Sequence, residues 1–82
     1  MVRGLRISVV IPTHNEHDGL EAVLAVMPTY VDEVLVVDWK STDGTQDIAR
    51  RHDVTLLEEP RQGYGRAYHT GVPAATGDVV GV

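Results

Sequence analysis

The chain has 82 residues, 43% of them apolar, which bounds it to one domain that buries roughly 60% of its unfolded surface on folding. Seven basic against 12 acidic residues leave a formal net charge of −5, which excludes a broad nucleic-acid-binding face on electrostatic grounds. No cysteine is present, so a disulfide framework, a thiolate zinc site and a cysteine nucleophile are excluded too.

Ile7 to Ile11 is a nearly continuous apolar run, the pattern of a central parallel strand, and Pro12 is expected to stop it. A polar segment, Thr13 to Asp18, follows. Asn15, with Asp18 three residues on, is the expected cap of a helix that carries Leu20, Val23, Leu24 and Met27 on one face and ends at Pro28. Val31 to Asp38 reads as the second strand. Its apolar run Val34-Leu35-Val36-Val37 suits burial on both faces, and Asp38 then stands at the carboxyl end of the sheet, facing any ligand.

Asp43 is expected to N-cap the next helix, Thr45 to about His52, with Gln46 in a capping-box relation and Ile48 and Ala49 inward. Val54 to Leu57 makes a third strand, and Glu58 to Gly65 is a loop by composition. Gly65 to Ala75 reads as a weak helix with small inward residues, Ala67, Gly71 and Ala74, which Pro73 should kink or shorten. Asp78 to Val82 opens a fourth strand.

The β-α-β-α-β-α-β order predicts an α/β fold, a Rossmann-like parallel sheet joined by right-handed crossovers. Such a sheet takes ligands beyond the carboxyl ends of its strands, which gathers Pro12 to Glu16, Asp38 to Lys40 and Glu59 to Arg66 at one rim. No apolar run approaches the ~20 residues of a membrane helix, and the amino end lacks the apolar stretch of a signal peptide. The expected setting is cytoplasmic, with the cytoplasmic face of a membrane as the alternative.

An acid after the second strand would suit a dinucleotide's ribose, but Pro12-Thr13-His14-Asn15-Glu16 contains no glycine, so the backbone there cannot approach a pyrophosphate closely. Gly63-Tyr64-Gly65-Arg66 supplies two glycines of the three and follows a different strand, and no Walker-type lysine motif occurs. His14 and His17 lack the further ligands that a metal site needs, and His52 and His69 read as surface helix residues. Ser41 is an elbow residue rather than a nucleophile. No catalytic and no metal-ligating residue is assigned within the chain.

Val9-Val10-Ile11-Pro12-Thr13-His14-Asn15-Glu16, then Val36-Val37-Asp38 with Ser41-Thr42-Asp43-Gly44-Thr45, then Gly63-Tyr64-Gly65-Arg66-Ala67 and Gly77-Asp78-Val79-Val80 stand at successive strand ends. Together they resemble the amino-terminal part of a family 2 glycosyltransferase domain, in the branch similar to dolichyl-phosphate mannose synthase. The resemblance covers essentially the whole chain. It implies a GT-A fold, a UDP- or GDP-sugar donor, transfer with inversion, a Mg²⁺ or Mn²⁺ ion and an acceptor such as a polyprenyl phosphate at a membrane.

The nucleotide site it implies comprises Pro12, Thr13, His14, Glu16, Asp38, Trp39, Lys40, Gly63, Gly65 and Arg66. Pro12, His14 and Glu16 would line the base and ribose, with His14 standing where relatives often carry a tyrosine. Asp38, an acceptor-only group, would take hydrogen bonds from the base or ribose. Gly63 and Gly65 would let the third loop close over the nucleotide, with Arg66 near a phosphate.

Two departures stand out. Relatives usually follow the first acid with a second acid or small polar residue and then glycine, whereas this chain has Trp39 and Lys40. Trp39 either stacks on the base or caps the sheet rim, and Lys40 either offsets diphosphate charge or is simply solvated. The family's metal-binding Asp-x-Asp element and its general base would fall after Val82. Residues 1–82 are therefore expected to be a partial domain, the nucleotide-sugar-binding half, inactive alone. The alternative is a non-catalytic α/β module that binds a nucleotide or self-associates through its exposed last strand. A nucleotidyltransferase would need a glycine-rich first loop, which is missing.

Overall fold

The four apolar runs become one parallel sheet in the computed structural model, which describes residues 1–81. The strands are β1 (Ile7–Thr13), β2 (Glu33–Asp38), β3 (Thr55–Glu58) and β4 (Val79–Gly81), ordered β3-β2-β1-β4. Between them run α1 (His17–Ala25), α2 (Thr45–Arg51) and α3 (Tyr64–Ala74). Every neighbouring pair of strands is parallel, as the alternation of elements predicts. Val82, expected in the last strand, lies outside the described residues.

Alternation along β2 builds a core on both faces of the sheet, because successive strand side chains point to opposite sides. Val34 and Val36 join Leu20, Leu24, Ile48 and Ala49 beneath α1 and α2, while Leu35 and Val37 join Val10 and Ala67 beneath α3. Each such aliphatic side chain contributes about 1.5–3 kcal/mol when fully buried, so β2, all but its first residue buried, is the centre of stability. β4 lies at one edge of the sheet with Val79 exposed, and β3 at the other.

Pro12 does not stop β1. It pairs in register with Val37, and Thr13 with Asp38. The carbonyls of Ile7 and Thr13 accept from Asp32 and Trp39 on the β2 side, whereas that of Arg6 accepts from Asp78 on the β4 side. Alternate residues thus face alternate neighbours, and Pro12 faces the β4 side. Among the described residues β4 pairs no further along β1 than Val9, so the missing N–H breaks no ladder bond.

The expected end and inward face of α1 and the inward face of α3 need correction. α1 ends at Ala25, three residues before Pro28, and its Val23 is exposed while Leu20 and Leu24 are buried. Ala74 is exposed and Ala75 packs inward instead. Pro73 shortens α3 as expected: it sits in the last turn, and the helix ends one residue later.

α3 touches the sheet most closely at Gly71, where a Cβ would lie 2.5 Å from Val10 Cγ1 and 3.0 Å from Val37 Cγ2. Gly71→Ala is therefore expected to lower stability by about 1–3 kcal/mol through overpacking. Gly19→Ala, on the exposed face of α1 with nothing within 4 Å, should raise it by up to ~1 kcal/mol. Urea denaturation of the two variants checks both signs.

Candidate functional site

Asp38 closes β2 and is 0% exposed. A buried carboxylate has to find donors, and this one takes two on each oxygen. Thr13 Oγ1 at 2.6 Å and Ser41 Oγ at 2.5 Å donate to Oδ1. The Ser41 N–H at 3.0 Å and Gln46 Nε2 at 2.8 Å donate to Oδ2. Burial pushes the Asp38 pKa up, but the bonds from Ser41, Thr13 and Gln46 together outweigh it and hold the group below the ordinary carboxylate range. All the acceptor positions of the carboxylate are filled by the protein's own donors.

The segment after Asp38 also satisfies the first turns of two helices. Asp43 Oδ1 accepts from the Thr45 N–H at 3.0 Å, and Oδ2 accepts from the His17 N–H of α1 at 3.2 Å. Thr45 Oγ1 accepts from the Glu16 N–H at 3.0 Å. Free N–H groups at helix starts need such partners, and α1 obtains them from the start of α2.

This corrects the expected caps. Asn15 is left-handed at φ 50°, donates its N–H to Ser41 Oγ and accepts the Thr42 N–H on its side chain at 2.8 Å, so it stitches two loops together and caps no helix. The N-cap positions are Glu16 and Gly44, neither with a side-chain cap bond. Gln46 turns to Asp38 and closes no capping box.

Lys40 sits at φ 48°, in the left-handed region. A side chain there costs about 1–2 kcal/mol relative to a right-handed conformation, a cost that glycine would avoid.

The third loop is tied down by a second carboxylate. The Glu59 N–H donates to the Asp38 carbonyl at 2.8 Å, continuing the ladder beyond β2. The Glu59 side chain, 2% exposed, accepts from the Arg61 N–H at 3.0 Å, from Arg61 Nε at 2.8 Å and from the Thr70 hydroxyl of α3. The Arg61 guanidinium and the Thr70 hydroxyl hold the Glu59 pKa down at about 2.

Between the three loops lies a cleft of about 220 Å³ lined by His14, Trp39, Gln62, Gly63, Tyr64 and Ala67. The His14 and Trp39 rings lie 4.2 Å apart between centroids, tilted by 35°. His14 Nδ1 donates to the Trp39 carbonyl at 2.5 Å. The Tyr64 hydroxyl donates to Glu16 Oε1 at 2.8 Å, linking the first loop to the third, and this bond raises the Tyr64 pKa. A neighbouring pocket of about 180 Å³ is lined by Asp38, Lys40, Gln46, Glu58, Glu59 and Pro60.

Of the residues assigned from sequence, His14, Trp39 and Gly63 line the cleft and Glu16 is joined to it through Tyr64. Asp38 and Lys40 border the second pocket, Pro12 and Thr13 belong to β1, and Gly65 and Arg66 are exposed on the first turn of α3. Gln62, Tyr64 and Ala67 are lining residues that sequence reasoning misses, although the placing of Tyr64 between two loop glycines was a signal. Among the described residues, no three His, Cys, Asp or Glu side chains gather to hold a metal ion, and no helix is long and apolar enough to cross a membrane.

The sequence pattern of glycosyl transferase family 2 matches residues 8–82. The chain belongs to this family. It is 48% identical over 79 residues to an uncharacterized glycosyltransferase of Mycobacterium tuberculosis, covering 96% of this chain and 36% of that protein. It is 38% identical over 77 residues to a dolichyl-phosphate hexose transferase of Haloferax volcanii, covering 90% of this chain and 33% of that protein. The chain thus spans about a third of the length of these curated relatives.

Among solved structures it is similar to a mannosyltransferase from Pyrobaculum calidifontis in complex with GDP-Man and Mn²⁺, at TM-score 0.80 and 36% identity over 96% of this chain and 27% of that one. It is also similar to the glucosyl-3-phosphoglycerate synthase of Mycobacterium tuberculosis in complex with UDP, at TM-score 0.79 and 31% identity over 94% of this chain and 32% of that one. The fold is the Rossmann-like α/β arrangement of the GT-A glycosyltransferases.

Two measurements probe the buried carboxylates. Asp38→Asn turns an amide NH₂ against at least one existing donor, and a loss of about 3 kcal/mol in urea unfolding is expected. For Glu59, folding lowers the pKa from 4.5 to about 2, so its ionised form stabilises the fold above pH 4.5 and that contribution disappears as pH falls toward 2. Denaturation midpoints followed across that window should fall less steeply in Glu59→Gln than in the unsubstituted protein.

Proposed function

We propose that residues 1–82 form the donor-nucleotide part of an inverting glycosyltransferase that takes a UDP- or GDP-sugar and delivers the sugar to a polyprenyl phosphate. The observation that carries this reading is the convergence of three strand-end loops on one cleft walled by His14, Trp39 and Tyr64. A nucleoside diphosphate presents a flat base, a ribose with two hydroxyls and an anionic diphosphate, and the rim offers a partner for each.

The half-buried Trp39 and His14 rings give the base an aromatic surface. The Glu16 carboxylate, now bonded to the Tyr64 hydroxyl, can accept ribose hydroxyls in its place. The exposed Arg66, the backbone at Gly63 and Gly65 and the Lys40 ammonium are available to the diphosphate. Pro12 and Thr13 support these loops from the end of β1. Asp38 works from beneath, because its carboxylate reaches a ligand only where Ser41 or Gln46 gives up an acceptor position.

In such a transfer the acceptor oxygen bonds to the anomeric carbon as the bond from that carbon to the diphosphate breaks on the opposite face, which inverts the centre. The task of these residues is to bind and orient the leaving nucleotide. The neighbours solved with UDP or with GDP-Man and Mn²⁺ support the donor class, and the dolichyl-phosphate relative supports the acceptor class. None of the roles assigned here to the chain's own residues depends on a bound Mg²⁺ or Mn²⁺ ion.

Calorimetry with UDP and GDP in the presence of Mn²⁺ is expected to show binding that Trp39→Ala weakens about tenfold, the size of one lost base-stacking contact. Absence of binding by the folded protein, or an affinity indifferent to the substitution, overturns the assignment of the cleft.

A further inference from the structure

The third loop is fixed on either side of its tip. Before the tip, Arg61 is bonded to the buried Glu59 carboxylate, and after it Ala67 packs with Val10, Leu35 and Val37 beneath α3. The five residues between them, Gln62 to Arg66, are all exposed. Among the described residues, and apart from the bonds of α3 and its first turn, one hydrogen bond ties these five to the rest of the protein: the Tyr64 hydroxyl donates to Glu16 Oε1 at 2.8 Å. Little else resists movement of the tip. Gly63, the N-cap of α3, makes no side-chain cap bond and sits at φ 114°, and a Cβ at Gly63 or Gly65 would meet nothing within 4 Å.

That bond joins two walls of the cleft, since Tyr64 lines it from the third loop and Glu16 follows His14, which lines it from the first. With the walls joined, the cleft measures about 220 Å³. Sites that enclose a small ligand run to roughly 300–1,000 Å³, so a nucleoside diphosphate needs the walls further apart. The bond is suited to holding and letting go. A carboxylate acceptor strengthens it, while Tyr64, 56% exposed, leaves water free to replace either partner.

We infer that the Tyr64–Glu16 bond is a strap that shuts the cleft in the nucleotide-free protein, so that a nucleoside diphosphate enters only the minority of molecules in which the strap has let go. This rests on the nucleotide reading of the cleft. A strap of this kind lowers the apparent affinity by the fraction of molecules that are open, and it does so by slowing association rather than by hastening release. Its opening also frees the Glu16 carboxylate for hydroxyl donors of the incoming ligand. Tyr64 thus controls access to the cleft and touches no reacting atom.

Trp39 is the single tryptophan of the chain and stands half-buried in the cleft wall, so its fluorescence reports the state of the strap without any nucleotide. Tyr64→Phe keeps the ring and removes only the hydroxyl. Acrylamide quenching of Trp39 in the nucleotide-free protein should rise about twofold in this variant, as a local opening exposes the indole. Glu16→Ala should raise it equally, and the double variant no further, because the two residues act through one bond. Stopped-flow mixing with UDP and Mn²⁺ should then show Tyr64→Phe binding about fivefold more tightly, the size of one net hydrogen bond, with the gain in the association rate and dissociation unchanged. Quenching that ignores Tyr64→Phe overturns the inference and leaves the nucleotide reading standing. Weaker or unchanged UDP binding by Tyr64→Phe, or a gain that lies in dissociation, does the same. Failure of UDP and GDP alike to bind any of the folded proteins overturns both.

Discussion

Asp38 is charged and out of reach of water, so the free energy lost in desolvating it has to be recovered from donors that the fold brings to it. Those donors come from three segments: Thr13 at the end of β1, Ser41 in the turn that follows, and Gln46 in α2. Strand, turn and helix are consequently held by one group at the place where the sheet meets the cleft. The stitching then spreads outward. Asn15 binds Ser41 and Thr42, Thr45 takes the Glu16 N–H, and Asp43 takes the first N–H of α1. Two adjacent strand-end loops thus become one rigid unit, and His14 and Trp39 ride on it.

The third loop is organised by the same device one strand further on. Glu59 is buried, binds Arg61 of its own loop and Thr70 of α3, and is joined to Asp38 through the backbone. The two carboxylates differ in what they secure. Asp38 sets the relation between the first two loops, whereas Glu59 sets where Gln62 to Tyr64 lie against α3. A cleft whose walls come from three separate crossovers needs both, because loops as polar as these have little apolar surface with which to pack.

The strands and their parallel pairing were legible because the apolar runs are long relative to the chain and parallel strands buried on two faces read as unbroken hydrophobic stretches. The end of β1 was not, because whether Pro12 breaks a strand depends on which neighbour its nitrogen faces, a property of the sheet and not of the local sequence. The caps failed for a related reason. Asn15 has the side chain that a cap requires but gives it to Thr42 of the next loop, while Asp43 stands one residue before the N-cap and serves the first N–H of α2 and of α1 alike. Asp38 was singled out from its position at the end of a buried strand. What spacing could not reveal was that every acceptor of that carboxylate is already taken by donors three to 25 residues away, three of them side chains and one the Ser41 N–H.

The departure at Trp39 and Lys40 is best understood as a single change in the turn. Lys40 adopts the left-handed conformation that glycine enters freely, and the strain is tolerated because Asp38 and Ser41 on either side are bonded to each other. That conformation turns the peptide joining Trp39 to Lys40, and the carbonyl of this peptide is the group that receives His14 Nδ1. A small residue in place of Trp39 would leave the carbonyl but remove the ring on which His14 leans. The aromatic pair therefore depends on both departures at once: the backbone of the turn determines the histidine tautomer, and the indole determines its tilt. The turn after β2 thus carries an aromatic wall over the cleft while the Asp38 network beneath stays complete.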